Sequence, residues 1–472
     1  MEQTETLSEK KSETFTEETL AQAYLCLECG KCTGICPMVE LFPDHFNPRR
    51  ILTSLVSNPE SVLNQPGIWM CASCYKCNKR CPQAIELPGI FLDIRKKALE
   101  KNGKRNLEKA LKIIGEEIPF PASFISVCLH PERLQIDLST FIDLIDKTFK
   151  PPKSDKSKGL KEKVAVIGSG PAGLITGNEL KKKGYQVTIF ESKSYAGGML
   201  SECIPEYRMP LEIISSEIEN MKSQGLDIKT DTHIGKDLSF KQLFKQGYEA
   251  IFIAVGAHSC QKLSIEGEDL EGVYTSLSFL MELKIWKNPL TAGKVVVIGG
   301  GNTAMDIAST AIKHGSGEVT ILYRRSKAEI PADANEIRET ELDGAKIQYL
   351  IAPLKFIGNK GRVNQIECIK MELGPPDRTG RKRPLPVKDS NFTIDADQVI
   401  VAIGEIPDTG FLPDQIEITR NGRIVIDPTT MKTNMEGVYA GGDGVLGPAT
   451  IAEAIVTGKR AANEIDKYLR SK

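Results

Sequence analysis

No apolar run in this 472-residue chain approaches the roughly 20 residues that a membrane-spanning helix needs. Membrane insertion is therefore not expected. The opening stretch is polar and lacks the apolar centre of a secretory signal, so residues 1–17 read as a tail. Both absences point to the cytoplasm. Excess charge is lacking too: 61 basic and 62 acidic residues leave a formal net charge of −1. Nothing there calls for nucleic acid as a partner. A hydrophobic share of 40% and a charged share of 26% suit a globular chain, and the length suits about three domains.

Cysteine is sparse over most of the chain and crowded in one place. Cys128, Cys203, Cys260 and Cys368 are scattered, whereas the other eight of the twelve lie between Cys26 and Cys81. A secreted disulfide scaffold would be small and would spread its cysteines throughout, so this clustering points to metal or redox chemistry. The first run is Cys26, Cys29, Cys32 and Cys36 followed by proline; the second is Cys71, Cys74, Cys77 and Cys81 followed by proline. Both follow C-x2-C-x2-C-x3-C-P, the spacing of two-cluster bacterial ferredoxins, in which the fourth cysteine ligates the other cluster. The expected ligand sets for two [4Fe–4S] clusters are therefore Cys26, Cys29, Cys32 and Cys81, and Cys71, Cys74, Cys77 and Cys36. A structural zinc site needs one set of four ligands and leaves two complete runs poorly explained.

Around and after these runs the sequence is helical in pattern. Asn47 before Pro48 reads as an N-cap with proline at the first helical position, and IFLDIRKKALEK after Leu87 has helical periodicity. Residues 18–149 form this helical cluster module. Residues 150–163, rich in lysine and proline, read as a linker.

From Val164 the pattern changes to short apolar runs, each followed by glycine and a helical stretch: VAVIGSGPAG, IFIAVGA, VVVIGGGNTA and QVIVAIG. This is the alternation of a doubly wound parallel sheet, and it starts twice, at Val164 and Val295. In the first start, Gly168 permits a tight turn, Gly170 admits a pyrophosphate to the backbone, and Gly173 lets helix and strand pack closely; Pro171 and Ala172 open the helix. Glu191 ends the next strand, where it would accept hydrogen bonds from a ribose hydroxyl. The second start has Gly299, Gly301, Asn302, Thr303 and Ala304 in the same layout. Its next strand runs into Arg324 and Arg325 where an acid would sit for NAD. Guanidinium groups there suit a 2′-phosphate, so NADP(H) is expected ahead of NAD(H).

Two resemblances follow from these residues. The long loop between the cysteine runs, with NPRRILTSL and Ile68-Trp69-Met70 ahead of Cys71, makes residues 20–100 resemble the small iron–sulfur subunit of heterodisulfide reductase. Residues 164–472 resemble the glutamate synthase small subunit, a flavoprotein family that includes the large subunit of NADH-dependent ferredoxin–NADP transhydrogenase. That second resemblance rests on GGM at 197–199, IPEYRMP at 204–210, GGGNTAMD at 299–306, YRRSKAEIPA at 323–332, AIGEIPD at 402–408 and GVYAGGD at 437–443.

The second resemblance implies two Rossmann-like domains, an FAD domain over 164–285 and 401–472 with an NADP domain inserted at 286–400. It implies FAD contacts at Gly197, Gly198, Arg208, Gly256, Gly404, Gly442, Asp443, Thr450 and Ile451, with a helix starting near Thr450 whose amides face the flavin. Hydride transfer needs no side-chain acid or base, so no catalytic side chain is assigned. The expected function is an oxidoreductase subunit that moves electrons between NADPH, FAD, two clusters and other redox subunits, in a complex of the electron-bifurcating transhydrogenase type. The alternatives are a glutamate synthase small subunit, a disulfide reductase using Cys203 and Cys260, and a redox-sensing scaffold without turnover.

Overall fold

The computed structural model describes residues 15–129, 161–288, 293–377 and 380–472, with residues 131–134, 136 and 144 between the first two. Most of the polar tail and of the 150–163 linker lies outside these. The chain divides into two compact units: Met1–Ser201 with Glu206–Gly256 and Thr409–Lys472, and Glu202–Pro205 with Ala257–Asp408.

The first unit joins the cysteine-rich module to a parallel sheet. Strands β1 (Lys163–Ile167), β2 (Gln186–Phe190), β3 (Asp227–Lys229) and β4 (Tyr248–Ile253) are joined by one that comes near the end of the chain, Val438–Ala440. That last strand lies beside β4, which lies beside β1, then β2, then β3. Val164 to Ile167 and Val187 to Phe190 are buried on both faces, which is why these strands read as unbroken apolar runs. Helices Pro171–Lys182 and Ile451–Arg470 pack closely beside this sheet. A Cβ on Gly458 would sit 2.4 Å from Ile175 Cγ2 and 2.7 Å from the Ala172 carbonyl oxygen, so only glycine allows this approach.

The module is mainly helical, as its periodicity predicts, with helices Pro48–Ser57, Leu87–Asn102, Arg105–Glu117 and Pro121–Leu129 among its elements. Asn47 caps the first of these by accepting from Arg50 N at 3.1 Å, worth about 1 kcal/mol.

In the second unit a ribbon strand β5 (Ser259–Cys260) precedes β6 (Val273–Thr275), β7 (Lys294–Ile298), β8 (Glu318–Tyr323) and β9 (Lys346–Tyr349). After them come β10 (Ile351–Asn359), β11 (Arg362–Pro376), β12 (Lys382–Asp395), β13 (Gln398–Val401) and β14 (Glu405–Ile406). The parallel sheet runs β6-β13-β7-β8-β9, β10 to β12 form an antiparallel meander, and β5 pairs with β14. The compact units divide after Gly256 and Asp408, whereas the sequence places domain boundaries at 285 and 400. β6 is an edge strand of this second sheet through its pairing with β13, and the β5–β14 ribbon closes the unit.

Candidate cofactor sites

The two cysteine runs fold alike. Glu28 (φ +52°) and Gly30 (φ +75°) in the first run match Ser73 (φ +47°) and Tyr75 (φ +54°) in the second, position for position. Three of these four are not glycine, so the left-handed backbone is a strained conformation held at both sites, as is common where a ligand is clamped. One cavity is lined by Cys26, Cys29, Cys32 and Cys81. At the other set, Cys36 interacts with Cys71 and Cys74, and Cys77 with all three. The structure thus brings together the two crossed foursomes expected from the spacing. Cys29 is exposed, whereas Cys71 is buried.

Electrostatics at the second set favour a cationic core. Burial first, then the Cys71 and Cys74 thiols, push the Cys36 thiol up to about 12. Burial pushes Cys74 up to about 11, and burial followed by its three neighbours raises Cys77. Four such thiols are neutral near pH 7 and become thiolates together only around a metal centre. Backbone N–H groups of Ser73, Lys76 and Asn78 are already aimed at the Cys71, Cys74 and Cys77 sulfurs, ready to stabilise negative charge there.

The first dinucleotide loop is built around Ser169, which the sequence motif hides as a variable position. Its N–H and hydroxyl donate to Glu191 Oε2 at 3.0 and 2.5 Å, and its Oγ accepts from Gly197 N at 3.1 Å. This brings Gly168, Gly170, Glu191, Gly197 and Gly198 to one spot. A Cβ on Gly168 would lie 2.4 Å from the Ala254 carbonyl oxygen, and one on Gly173 2.0 Å from the Gly168 carbonyl oxygen. A Cβ on Gly170, the N-cap of helix Pro171–Lys182, would meet nothing within 4 Å, so the space over that helix N-terminus is open, as a pyrophosphate requires. Gly170→Val should leave the melting temperature unchanged while bound flavin falls at least about tenfold, read from the visible absorbance of the purified chain. Full flavin retention would remove the pyrophosphate from this loop.

The remaining expected contacts of the first unit lie on its later segments. Gly442 N donates to Thr457 Oγ1 at 2.8 Å, and Asp443 opens the short helix that follows. Thr450 caps helix Ile451–Arg470 in a capping box with Glu453, with Ile451 as the first helical residue. Gly256 (φ +67°) follows β4, and Arg208 lies near the Tyr207 ring. Gly404 lies in the second unit, where its carbonyl accepts from Gln261 N at 2.9 Å beside the β5–β14 ribbon.

The second dinucleotide loop follows the same plan. A Cβ on Gly299 would come within 2.1 Å of the Ala402 carbonyl oxygen, and one on Gly301, the N-cap of helix Asn302–Lys313, would meet nothing. Asn302, ahead of Thr303 and Ala304, exchanges two hydrogen bonds with Asp333, both at 3.0 Å. The two arginines separate in role. Arg325 is buried, donates from Nε to the Lys382 carbonyl at 2.8 Å, and lies 3.6 Å from Asp377. It anchors the β11–β12 arm. Arg324 is exposed as a residue, yet its guanidinium is partly desolvated by its neighbours, and this, then the Arg325 and Arg381 charges, lower its pKa. Arg381, unforeseen from sequence because it comes from the arm, donates to Tyr323 Oη at 2.9 Å.

None of the twelve cysteines forms a disulfide among the described residues. Cys203 packs against the apolar core of the second unit, and the Cys260 sulfur lies 3.4 Å from Ser276 Oγ. No helix among the described residues is long and apolar enough to cross a membrane.

Two Rossmann-type nucleotide loops and two four-cysteine sets define a flavin- and nicotinamide-dependent iron–sulfur oxidoreductase class. The chain belongs to the pyridine nucleotide-disulphide oxidoreductase family, whose model matches residues 162–458, and residues 22–85 match the 4Fe-4S dicluster domain. FAD, NADP(H) and two [4Fe–4S] clusters are the cofactors that go with these two assignments. The chain is 38% identical to the NADP(+)-dependent formate dehydrogenase subunit beta of Moorella thermoacetica, over 84% of this chain and 60% of that one. It is 35% identical to the NADPH-Fe(3+) oxidoreductase subunit beta of Geobacter sulfurreducens, over 83% and 63%. The chain thus spans about three fifths of the length of these relatives. The glutamate synthase [NADPH] small chain of Azospirillum brasilense is 32% identical over 68% of this chain and 69% of its own. Among solved structures, FprA from Mycobacterium tuberculosis in complex with NADPH aligns at a TM-score of 0.56 and 19% identity, over 66% and 85%, which shows the shared fold.

Proposed function

We propose that this chain is the NADPH- and FAD-binding subunit of a larger redox enzyme, and that electrons pass between its flavin site and a partner through the two cysteine sets in a fixed order. Bound FAD would accept two electrons from NADPH as hydride and release them one at a time, matching one-electron clusters. Residues 168–173, with the loops at 197–198 and 442–443, would hold FAD. Glu191 would take a ribose hydroxyl by giving up its 3.3 Å contact with Ser192 Oγ, the longest of its four. Residues 299–304 and Arg324 would hold NADP(H).

The order rests on one observation. Lys76, between Cys74 and Cys77, forms an ion pair with Glu453, the third residue of the helix whose N-terminus Thr450 caps. The set of Cys71, Cys74, Cys77 and Cys36 is thereby fastened to the helix proposed to face the flavin. Two further ion pairs on that helix, Lys459 with Glu117 and Arg460 with Glu40, hold the module in place. The set with exposed Cys29 opens to solvent and would be the outlet. The electron-exchanging partner is proposed to be a catalytic subunit of the kind that the Moorella relative serves, within a complex in which bifurcation is one available outcome.

Anaerobic mixing with NADPH should bleach the flavin band within one turnover, followed by loss of cluster absorbance. A flavin that stays oxidised would defeat the reading. Native purification should yield the chain with at least one other redox subunit.

A further inference from the structure

The helix Leu87–Asn102 carries a buried charge. Arg95 is 1% exposed. Its Nε donates to the Ile68 carbonyl at 2.8 Å and its Nη2 to the Cys71 carbonyl at 2.6 Å. The ionisable side chains around it are those of Cys71, Cys128 and Tyr75, and among the described residues no carboxylate forms an ion pair with it. Arginine stays protonated in proteins, so this is a fixed positive charge in a low-dielectric setting. Such a charge is strongly unfavourable unless something negative balances it.

The thiols beside it supply the answer. Four thiolates outweigh the charge of an oxidised iron–sulfur cube, and reduction adds one more negative charge. A buried cation next to Cys71 stabilises the reduced form more than the oxidised one, and burial keeps solvent from screening it. We infer that Arg95 is the positioning and tuning residue of the second cysteine set, raising that cluster's potential above that of the first. Beside the first set Lys31 is exposed and Arg49, which lines its cavity, is only half-buried, so both charges are screened more than that of Arg95. The consequence is directional: the first electron to leave the flavin site settles on the second cluster before the first is reduced. This rests on the assignment of two clusters to the crossed sets.

The test is a redox titration followed by electron paramagnetic resonance on the full chain with its cofactors. In Arg95→Gln the second cluster's reduction equilibrium should fall at least about tenfold, about 59 mV for one electron, with the first cluster unmoved. Arg95→Lys, which keeps the charge, should hold the native potential to within about a third of that shift. An unshifted Arg95→Gln with full iron, equal shifts in both variants, or equal shifts in both clusters would overturn the inference. If Arg95→Gln loses the second cluster, Arg95→Lys decides: retention at the native potential supports a charge requirement, and loss or displacement refutes it. A wild-type chain without two distinct cluster signals would overturn the cluster assignment itself.

Discussion

Replacing Cys36 with serine should cost the chain the cluster of the second run, not that of the run in which Cys36 stands. Cys36 interacts with Cys71 and Cys74, whereas the cavity lined by Cys26, Cys29 and Cys32 takes Cys81 as its fourth cysteine. About half the bound iron should disappear, because each cluster holds four irons. The residual resonance spectrum of Cys36→Ser should match that of Cys74→Ser, and Cys81→Ser should match Cys29→Ser. A Cys36→Ser spectrum that matches Cys29→Ser would mean that each run binds its own cluster, and the crossed arrangement would fall.

The second large effect belongs to Arg324. Arg325 is committed to the Lys382 carbonyl and to Asp377, so discrimination between the two nicotinamide cofactors should rest on the exposed neighbour. A charge-assisted hydrogen bond to phosphate contributes about 1.5–3 kcal/mol, which is about 10- to 150-fold in affinity. Arg324→Ala should therefore raise KM for NADPH by about that factor and leave KM for NADH nearly unchanged. Equal losses with both cofactors would show that Arg324 does not read the 2′-phosphate. Arg325→Ala should behave differently, lowering thermal stability by releasing the arm.

The sequence made some of this legible and hid the rest for physical reasons. The cysteine spacings and the glycine loops are local devices: a cube or a pyrophosphate imposes a fixed pattern on consecutive residues, so the pattern survives in one dimension. Thr450 as a helix start and Asn47 as a cap are local in the same way. Ser169 occupies a motif position that tolerates many residues, and its bonds to Glu191 and Gly197 exist only once the chain has folded. The meander of β10 to β12 is hard to read in the sequence because no residue of β12 is buried and its apolar alternation is confined to Phe392 and Ile394. The division after Gly256 is hidden in the sequence because β6 is three residues long and takes its identity from pairing with β13, more than a hundred residues later. Arg95 looked like one more basic residue on an amphipathic helix. Only its burial against the Cys71 loop sets it apart.

The most direct test of the central claim is rapid freeze-quench resonance after anaerobic mixing of the full chain with NADPH, with the two cluster signals assigned through Cys36→Ser and Cys81→Ser. The order of electron flow proposed here predicts flavin reduction first, then the signal of the Cys71, Cys74, Cys77 and Cys36 cluster, then that of the Cys26, Cys29, Cys32 and Cys81 cluster. Reduction of the solvent-facing cluster ahead of the other, or reduction of neither after the flavin has bleached, would contradict it.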